Sequence, residues 1–481
     1  MFCRILVVIT VVIFFPLLVK SQNLNGGLIG HYGFNGDFED KSGNSNEGFA
    51  RGGVSFSNDR WGQGNSALTF NGVDGYVELP HSKSMENFSN SISINVWVKT
   101  KGKNEDGFVA ILSKTNSKKI LQAFAFMFRD YNGGWDPYTN ETMKTPFPFH
   151  TWTMFTFIDD SISRRLYQNQ KLILEKKRTK EEQAKFKIRQ NYLPILIGAE
   201  PYIEWEYYYG EMDDLRIYNR SLSECEIKFL YQEQPFTPKE RANNYVAKKL
   251  EEWKERGEYE KTIDYNKRLE SKVHEKSDAF EQEIIDKIAS EVLWSCGSKK
   301  YDADNEEFIL IFNNVEPFKI SVPINEAEEF GENFNSLEFI DPKFSLQNKP
   351  NLEVECIIIK NPLNNKVYTY GCSEEDLVKV ESKKVLVKLW DDKKQDGDIV
   401  SVFINDKLVK SKIKVKNKAV EFKIELEEGL NTFKLLAHNE GDEPPNTAAI
   451  LIDDEHQQYK HVLSSKKNEY SELKILYFKS K

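Results

Sequence analysis

A chain of 481 residues is long enough for about three domains of ordinary size, and its hydrophobic content of 40% can supply a core for each. The 29% of charged residues are mixed in sign and the formal net charge is −9. This balance excludes the broadly basic surface that is typical of nucleic-acid-binding proteins.

Residues 1–21 have the pattern of a secretory signal peptide. Arg4 precedes the apolar run Ile5–Val19, and Val19 and Ser21 fit the small-residue rule for cleavage. The run is short for a membrane-spanning helix, which needs about 20 apolar residues, although a retained anchor stays the alternative. The sequence therefore predicts a secreted, periplasmic or cell-surface protein with no membrane span after cleavage.

Four cysteines remain after the predicted cleavage, namely Cys225, Cys296, Cys356 and Cys372. The oxidising compartments that secreted proteins pass through permit disulfide bonds. Cys356 and Cys372 flank a predicted hairpin and could pair, whereas buried thiols are the alternative. The spacing contains no C-x-x-C, so the sequence does not predict a zinc site.

Short alternating apolar runs separated by Gly, Asn, Asp and Ser dominate residues 22–233, and no long helical pattern interrupts them. Many short strands joined by turn residues are typical of a sandwich or jelly roll. Trp97 and Trp152 alternate with apolar neighbours, so both are predicted to fill the layer between two sheets. The predicted strands are Ala67–Phe70, Tyr76–Leu79, Ile92–Val98, Phe108–Leu112, Ala123–Phe128, Trp152–Phe157, Arg165–Tyr167 and Leu193–Ile197.

The stretch Gly210–Tyr231 is predicted to close this domain. It contains a turn with carboxylates, a strand at Leu215–Tyr218, a second turn and then one helical turn with an apolar side. The chain before this stretch is β-rich, and the chain after it has a different composition.

Six segments of the region from Leu28 to Tyr231 follow a recognisable order. Together they resemble the laminin-G-like or concanavalin A-like jelly-roll domain. The resemblance implies two antiparallel sheets packed face to face and a family that mostly binds sugars or proteins. The segments are LIGHYGFNGDFEDKSGNSNEG, SALTFNGVDGYVELP, SISINVWVKT, HTWTMFTF, LPILIGA and GEMDDLRIYNRSLSECEI.

Carboxylates at the two ends of this domain are candidate calcium ligands. Because a jelly roll brings its first and last strands together, oxygens from both ends could converge on one ion. Calcium takes about six to eight oxygen ligands, and members of the superfamily often hold one. The predicted metal ligands are Asp37, Asp40, Asp213 and Asp214. The alternative is an Asx turn at Asp40–Asn44 and an Asp213 that faces water.

Two aromatic-rich stretches, residues 129–138 and 202–209, form the candidate ligand surface. Planar aromatic rings beside carboxylates and amides suit stacking on sugar rings. The alternative is that loops fold over the edge of the sandwich and use these aromatic residues as local core. The predicted ligand-binding residues are Trp135, Asp136, Tyr138, Trp205 and Tyr207.

Related jelly rolls include glucanases, so glycoside hydrolysis is a further hypothesis. Hydrolysis needs two carboxylates roughly 5–10 Å apart. The glucanase signature places E-x-D-x-x-E on one strand, whereas GEMDDLR at residues 210–216 lacks the final Glu. This departure disfavours hydrolysis, and no catalytic residue is assigned. An atypical acid pair drawn from Glu204, Glu206 and Glu211 is the alternative.

Residues 234–298 are predicted to be a charged helical segment. TPKE at residues 237–240 has the pattern of a helix start, Gly257 breaks the helix, and apolar spacing indicates further helices over 259–273 and 280–292. The dense mixture of acidic and basic residues indicates a solvated surface, and the short apolar stripe, broken at Gly257, favours a helical hairpin packed on the next domain. A coiled-coil docking element of a surface assembly is the alternative.

Residues 299–378 and 379–481 are predicted to be a small α+β module and an immunoglobulin-like C-terminal β-sandwich. An EF-hand loop beginning at Asp392 is excluded because Lys394 and Phe403 fall at ligand positions. Four segments resemble uncharacterised modules of secreted Bacteroidetes proteins, which implies a location more than an activity. They are GEYEKTIDYNKRL, YDADNEEFILIF, VPINEAEEF and LWDDKKQDGDIVSVFIND.

The common catalytic motifs G-x-S-x-G, H-E-x-x-H, the P-loop and the dinucleotide fingerprint do not occur in the sequence. We therefore predict a mainly β, multidomain binding protein whose jelly roll recognises a glycan or a cell-surface protein. The expected cofactor is at most a structural calcium, and no nucleic-acid partner is expected. A carbohydrate-active hydrolase and a structural component of a surface assembly are the alternatives.

Overall fold

The structure is a computed structural model that describes residues 24–86, 88, 90–103, 108–115, 123–131, 134–136, 147–201, 206–373, 375–391, 397–439 and 446–478. The predicted signal peptide lies outside this part of the chain. The chain divides into two units, of which one is Gln22–Glu233 and the other contains Gln234–Lys481. The finer domain boundaries at 298/299 and 378/379 stay predictions. No helix within the described ranges is long and apolar enough to cross a membrane.

The N-terminal unit is built from two antiparallel sheets. The first sheet has the strand order β12-β11-β10-β6-β16-β4-β3, with β1 beside β16, and the second has the order β2-β5-β13-β7-β8-β9. The elements are β1 (Leu28–Tyr32), β2 (Phe49–Arg51), β3 (Val54–Ser57), β4 (Ala67–Asn71), β5 (Tyr76–Leu79), β6 (Ser91–Thr100), β7 (Phe108–Lys114), β8 (Phe124–Tyr131), β9 (Gly134–Asp136), β10 (Thr153–Asp160), β11 (Ser163–Gln168), β12 (Lys171–Lys177), α1 (Lys180–Lys185), β13 (Ile195–Ile197), β14 (Ala199–Glu200), β15 (Glu206–Tyr207), β16 (Tyr209–Tyr218) and α2 (Glu224–Gln232).

Alternating side chains of the two sheets form the core of this unit. Val96 and Val98 of β6 are buried in one apolar cluster with Phe126 and Phe128 of β8. Burying a side chain of this size contributes roughly 1.5–3 kcal/mol to folding. The sandwich predicted from alternation is therefore confirmed.

Strand β16 is a central strand of the first sheet. It pairs with β6 along one side, and along the other side first with β4 and then with β1. The first and last strands therefore meet, as expected. The predicted strand Leu215–Tyr218 was too short, because the polar residues before it also pair within the sheet.

Trp97 lies outside the layer between the sheets, so its predicted place was wrong. Val96 and Val98 face that layer, and alternation turns Trp97 to the opposite face of β6. There it packs with Ile227 and Leu230 of α2, and its ring stacks on Tyr231 at 5.6 Å. Trp152 packs against the same cluster. The helix after the closing strand thus covers a second, smaller core.

The second unit begins with a helical hairpin that packs on the module after it. Helix α3 starts with the expected cap, and the break at Gly257 is confirmed, but α4 is one continuous helix where two were predicted. No Gly or Pro interrupts it. The elements are α3 (Pro238–Lys254), α4 (Thr262–Ala289), β17 (Ser298–Asp302), β18 (Glu307–Ile311), β19 (Phe318–Ser321), α5 (Ile324–Glu332), β20 (Glu338–Ser345), β21 (Glu353–Lys360) and β22 (Val367–Tyr370).

One apolar cluster joins these helices to the strands. Ile284 and Ile288 of α4 are buried with Leu310 of β18 and Ile357 of β21. The helical hairpin is therefore part of a shared core, as in the favoured interpretation. Cys356 and Cys372 form a disulfide with a Cα–Cα distance of 4.4 Å, so their predicted pairing is confirmed.

A second β-sandwich completes this unit. One sheet has the order β23-β31-β28-β25-β26 and the other β27-β24-β29-β30, and their inward side chains form a separate core. Asp392 and Asp396 lie outside the described residues. The strands are β23 (Leu377–Val380), β24 (Lys384–Trp390), β25 (Ile399–Ile404), β26 (Lys407–Lys414), β27 (Val420–Glu425), β28 (Gly429–Ala437), β29 (Asn446–Asp453), β30 (Gln458–Ser465) and β31 (Tyr470–Tyr477).

Candidate functional site

Asp213 and Asp214 lie where β16 changes partners. Residues Tyr209–Met212 pair with β4, and from Leu215 onward the strand pairs with β1. The register against β6 shifts between Asp213 and Arg216, and Asp214 has a φ of 46°. Such a bulge lets two consecutive side chains reach the same neighbour, which a regular strand would send to opposite faces.

Arg60, in the loop between β3 and β4, is that neighbour. Its Nη1 donates to Asp213 Oδ2 at 2.7 Å and its Nη2 donates to Asp214 Oδ2 at 2.6 Å. The guanidinium carbon also lies 3.5 Å from the ring centre of Trp61 and 4.5 Å from that of Trp97. Charge-assisted bonds and cation–π contacts therefore hold one buried arginine in a fixed orientation.

Burial raises the pKa of Asp213 well above its ordinary range, and the neighbouring Asp214 carboxylate adds to the rise. Arg60 opposes this effect, but a single guanidinium faces two carboxyl groups. The three side chains together join the β3–β4 loop to the bulge of β16.

Asp37 and Asp40 make local contacts in the loop after β1. Asp37 accepts a hydrogen bond from Lys41 Nζ at 3.4 Å. The bond from the Ser42 N–H to Asp40 is the Asx turn that had been the alternative to a metal ligand. Asp40 accepts backbone hydrogen bonds from His31, Ser42 and Asn46.

The four predicted calcium ligands are thus engaged by donors of the protein itself. A calcium ion would have to displace Arg60 from Asp213 and Asp214 to use their oxygens. Across the part of the chain that the structure describes, no group of three or more His, Cys, Asp or Glu side chains is placed to hold a metal ion. The calcium site stays a prediction, and the bonds that these four carboxylates already make count against it.

An aromatic platform lies on the outward side of the second sheet. We use this name for Phe49, Tyr76 and Tyr207 together with Arg51 and Glu78. In β5, Val77 and Leu79 are buried in the core, so alternation turns Tyr76 and Glu78 outward. Across the ladder Phe49 is opposite Glu78, and Arg51 is opposite Tyr76.

Tyr207 joins the platform from β15. Its neighbour Tyr208 is buried in the core, so Tyr207 faces outward. The rings of Tyr76 and Tyr207 are 6.4 Å apart. Burial raises the pKa of the Tyr207 hydroxyl, and the nearby Tyr76 adds to the rise. Phe49 remains 49% exposed, which leaves an aromatic surface open to a ligand.

Charged groups border these rings. The Arg51 Nε donates to Glu78 Oε2 at 3.4 Å, and the Arg51 guanidinium carbon lies 6.0 Å from the centre of the Phe49 ring. Both side chains of the ion pair are substantially exposed to solvent. The platform therefore offers flat apolar rings together with hydrogen-bond donors and acceptors.

The other predicted ligand residues lie either at the opposite edge of the second sheet or outside the residues that the structure describes. Trp135 and Asp136 are on β9, the edge strand opposite β2, where only their backbone is described. Tyr138 and Trp205 lie outside the described residues. Of the predicted ligand residues, Tyr207 is the one whose side-chain contacts are known.

Phe49, Arg51 and Tyr76 were missed by the sequence analysis. Tyr76 and Glu78 were inside a correctly predicted strand, and the alternation Y-V-E-L carried a usable signal for an outward tyrosine. Phe49 gave no such signal, since β2 has only three residues and all of them are exposed.

Two of the carboxylates considered for hydrolysis are described, Glu206 on β15 and Glu211 on β16. Glu211 is bound by Lys99 at 3.1 Å and Lys101 at 3.0 Å. Burial pushes the pKa of Glu211 upward, but its hydrogen bonds with the two lysines outweigh burial and lower it. Glu206 is buried directly opposite Glu200 on the paired strands β14 and β15. Glu204 lies outside the described residues.

A family model for the concanavalin A-like lectin/glucanases superfamily matches residues 71–228. The match runs from the end of β4 into α2 and confirms the resemblance of the N-terminal unit to this superfamily. It covers 158 of the 481 residues, so it leaves the second unit unassigned. None of the curated proteins compared with the chain matches it.

The similar solved structures are distant. Domain 4 of the arabinanase AbnA from Geobacillus stearothermophilus, solved with arabinotriose, is 19% identical with a TM-score of 0.33, over 43% of this chain and 98% of that one. Trypanosoma rangeli sialidase with sialic acid is 16% identical with a TM-score of 0.32, over 43% and 32%.

A structure of botulinum neurotoxin type C, whose cell entry is described as dependent on two ganglioside molecules, is 13% identical with a TM-score of 0.32, over 94% and 99% of the two chains. Similarities at this level support no argument about a ligand.

Proposed function

We propose that the N-terminal unit binds a glycan on the aromatic platform. The observation that carries the proposal is the placement of Phe49, Tyr76 and Tyr207 on one outward surface beside an exposed ion pair. Aromatic rings pack on the apolar faces of sugars, while charged side chains hydrogen-bond to hydroxyl groups. The match to a superfamily of lectins and glucanases supports a carbohydrate ligand over a protein.

We include Trp135, Asp136, Tyr138 and Trp205 in the proposed surface. Strand β9 lies at the opposite edge of the sheet from β2, five strand spacings away. At about 4.8 Å per spacing the two edges are roughly 24 Å apart. A surface of that width suits an oligosaccharide or polysaccharide that crosses the sheet better than a single sugar.

Substitutions on the platform test this proposal. We expect Tyr76→Ala and Tyr207→Ala to weaken glycan binding about 5- to 30-fold each, which is the usual loss for a contact aromatic. Tyr192→Ala is the matched control, since Tyr192 is 83% exposed in the same unit but lies outside the platform. The measurement is a glycan array followed by titration of the full chain, with calcium and with chelator.

Three results would overturn the proposal. The first is that the full chain binds no glycan in either buffer. The second is that Tyr192→Ala weakens binding as much as the platform substitutions do. Capture of a protein ligand through the same tyrosines would assign the platform to protein recognition instead.

A hydrolase is the second candidate, because Glu200 and Glu206 are buried opposite each other on β14 and β15. Paired carboxylates are the catalytic groups of most glycoside hydrolases. If the protein is a hydrolase, Glu206→Gln abolishes release of reducing sugar, whereas Glu211→Gln has a smaller effect. No release of sugar by the unmodified protein from any polysaccharide that it binds would exclude this candidate.

Export from the cytoplasm is part of the proposal. The Cys356–Cys372 disulfide supports it, because such bonds persist in oxidising compartments. We expect the mature protein to begin at Gln22, which N-terminal sequencing of protein from the natural source would test. A mature protein that retains residues 1–21 would instead indicate an anchor.

A further inference from the structure

A run of lysines marks one edge of the C-terminal sandwich. Residues 407–418, KLVKSKIKVKNK, contain six lysines and no acidic residue, in a chain whose formal net charge is −9. The last five of these lysines are exposed, and we call them the lysine edge. They are Lys410, Lys412, Lys414, Lys416 and Lys418.

The backbone of β26 and the residues after it explains why the lysines face solvent. Val409 and Ile413 pack against the core of the sandwich, and Val415 is fully buried in it. The lysines that alternate with these residues therefore point away from the core. At Lys412 the strand bulges, with a φ of 49° and a hydrogen bond from its N–H to Ser401 Oγ.

Three residues of the lysine edge, Lys410, Lys412 and Lys414, lie on β26 at an open side of the sheet, and Lys416 and Lys418 follow the end of that strand. Strand β26 is the last in the order β23-β31-β28-β25-β26, so within the described ranges no strand pairs with its outer side. Lys407 at its start pairs with Glu427 at 3.1 Å. No described carboxylate lies within 4.0 Å of the five lysine-edge ammonium groups.

Several other lysines of the same sandwich pair with carboxylates. Lys383 pairs with Glu425, Lys388 pairs with Glu421, and Lys434 pairs with Asp406. The positive charge of the lysine edge thus stands out locally against an acidic protein. An unpaired row of like charges costs little on an exposed surface, but it attracts a ligand of opposite charge.

We propose that the lysine edge binds a linear anionic polysaccharide whose sulfate or carboxylate groups follow the strand. At about 3.3 Å per extended residue, the eight residue steps from Lys410 to Lys418 span at most roughly 26 Å. An elongated group of five like charges matches a linear polymer better than a compact anion. This site is distinct from the aromatic platform and does not depend on it.

Nucleic acid is the less suitable polyanion. The residues between the lysines are aliphatic or small, so the edge offers no aromatic ring for base stacking. Residues 379–481 contain no arginine, which is the side chain best suited to bidentate phosphate and base contacts. The disulfide at Cys356–Cys372 also favours an environment where polysaccharides are the common polyanions.

Two charge-matched triple variants of the full chain test the proposal. The first is Lys410→Gln, Lys414→Gln and Lys416→Gln. The control, Lys379→Gln, Lys423→Gln and Lys466→Gln, removes the same charge from exposed lysines elsewhere in the sandwich. The probes are a size-defined heparin oligosaccharide for sulfate, an oligogalacturonate for carboxylate, and a single-stranded oligonucleotide of equal charge.

We expect the lysine-edge variant to bind at least one polysaccharide probe 10-fold or more weakly, and the control variant less than 3-fold more weakly. The slope of log Kd against log salt should fall by about two to three units, one for each lost ammonium. Equal loss in both variants, no binding by the unmodified protein, or tighter binding of the oligonucleotide would overturn the proposal.

Edge lysines also prevent strands of different molecules from pairing. A lysine-edge variant that aggregates but keeps full affinity for the polysaccharide would show that this is their role, and it would overturn the proposal. Thermal unfolding of both variants should match that of the unmodified protein, since none of the substituted side chains is buried.

Discussion

Arg60 connects the β3–β4 loop to the bulge in β16, through Asp213 and Asp214. Removing one member of a buried ion pair leaves the other charges uncompensated, which costs about 3–5 kcal/mol. We therefore expect Arg60→Gln to lower the free energy of unfolding of the N-terminal unit by about that amount. Hydrogen exchange of its peptides in increasing denaturant measures the change for this unit separately.

Arg51→Gln is the control for this prediction. Arg51 also pairs with a carboxylate, but its side chain is 49% exposed and that of Glu78 is 30% exposed, and pairs at the surface contribute about 0–1 kcal/mol. If Arg60→Gln and Arg51→Gln have equal effects, the buried trio does not stabilise the fold.

Asp213 gives the N-terminal unit a pH dependence of known sign. Burial and Asp214 raise its folded pKa, whereas an unfolded Asp titrates near a pKa of about 3.9. Between these values the folded state holds a proton that the unfolded state releases, so the contribution of Asp213 to stability falls as pH rises. It is fully present below a pH of about 4 and is lost as pH rises through the raised folded pKa.

Asp213→Asn should remove this dependence. We expect the stability of the variant relative to the unmodified protein to increase from about pH 5 to about pH 8, as measured by denaturation at each pH. Asp37→Asn, in an exposed ion pair, serves as the control. Parallel stability curves for the unmodified protein and Asp213→Asn would contradict the raised pKa.

At the scale of the elements, the sequence predicted part of strand β16 but not its position in the sheet. Its apolar end was predicted from composition, and its pairing with β1 followed from the jelly-roll resemblance. Its central position between β6 and β4 was not predicted, because the polar residues Glu211, Asp213 and Asp214 do not alternate like those of a buried strand. Ion pairs with Lys99, Lys101 and Arg60 make that burial tolerable.

The disulfide between Cys356 of β21 and Cys372, just after β22, should stabilise its module. It closes a loop of 16 residues, which corresponds to about 3 kcal/mol from the restricted unfolded state. We expect Cys356→Ala with Cys372→Ala to lower the stability of residues 299–378 by about that amount, as read from hydrogen exchange of their peptides. Unchanged exchange in these peptides would contradict the prediction, and peptides of the N-terminal unit serve as the control.

At the scale of the whole molecule, each unit has its own core, and ordinary hydrogen bonds already satisfy the predicted calcium ligands. We therefore expect calcium or chelator to shift the unfolding temperature of the N-terminal unit by less than about 1 °C. A larger shift that Asp40→Asn abolishes would support the calcium site instead. Calcium bound only to the folded state would raise the free energy of unfolding in proportion to the logarithm of its concentration over Kd. A calcium site would therefore give a measurable rise in the unfolding temperature.

The aromatic platform illustrates what sequence reasoning could reach. Tyr207 was predicted as a ligand residue because it lies in an aromatic run, and Tyr76 lay in a predicted strand. Their rings are 6.4 Å apart because β13 pairs with β5, which carries Tyr76, and the next strand, β14, pairs with β15, which carries Tyr207. No local sequence pattern encodes these pairings. Phe49 adds to the surface because β2 pairs with β5, although β3 and β4 lie between them in the sequence.

The sequence by itself determined the class of the protein: alternation indicated the strands, ordered motifs indicated the jelly roll, and caps and breakers placed the first helix of the second unit. These features are local, since each depends on residues within a few positions of one another. The tertiary structure alone decided that Asp213 and Asp214 bind Arg60, that Trp97 packs beneath α2, and that Tyr76 meets Tyr207. Each of these contacts joins residues that are far apart in the sequence. They therefore depend on which strands pair in the folded sheets, and no short stretch of sequence specifies that pairing.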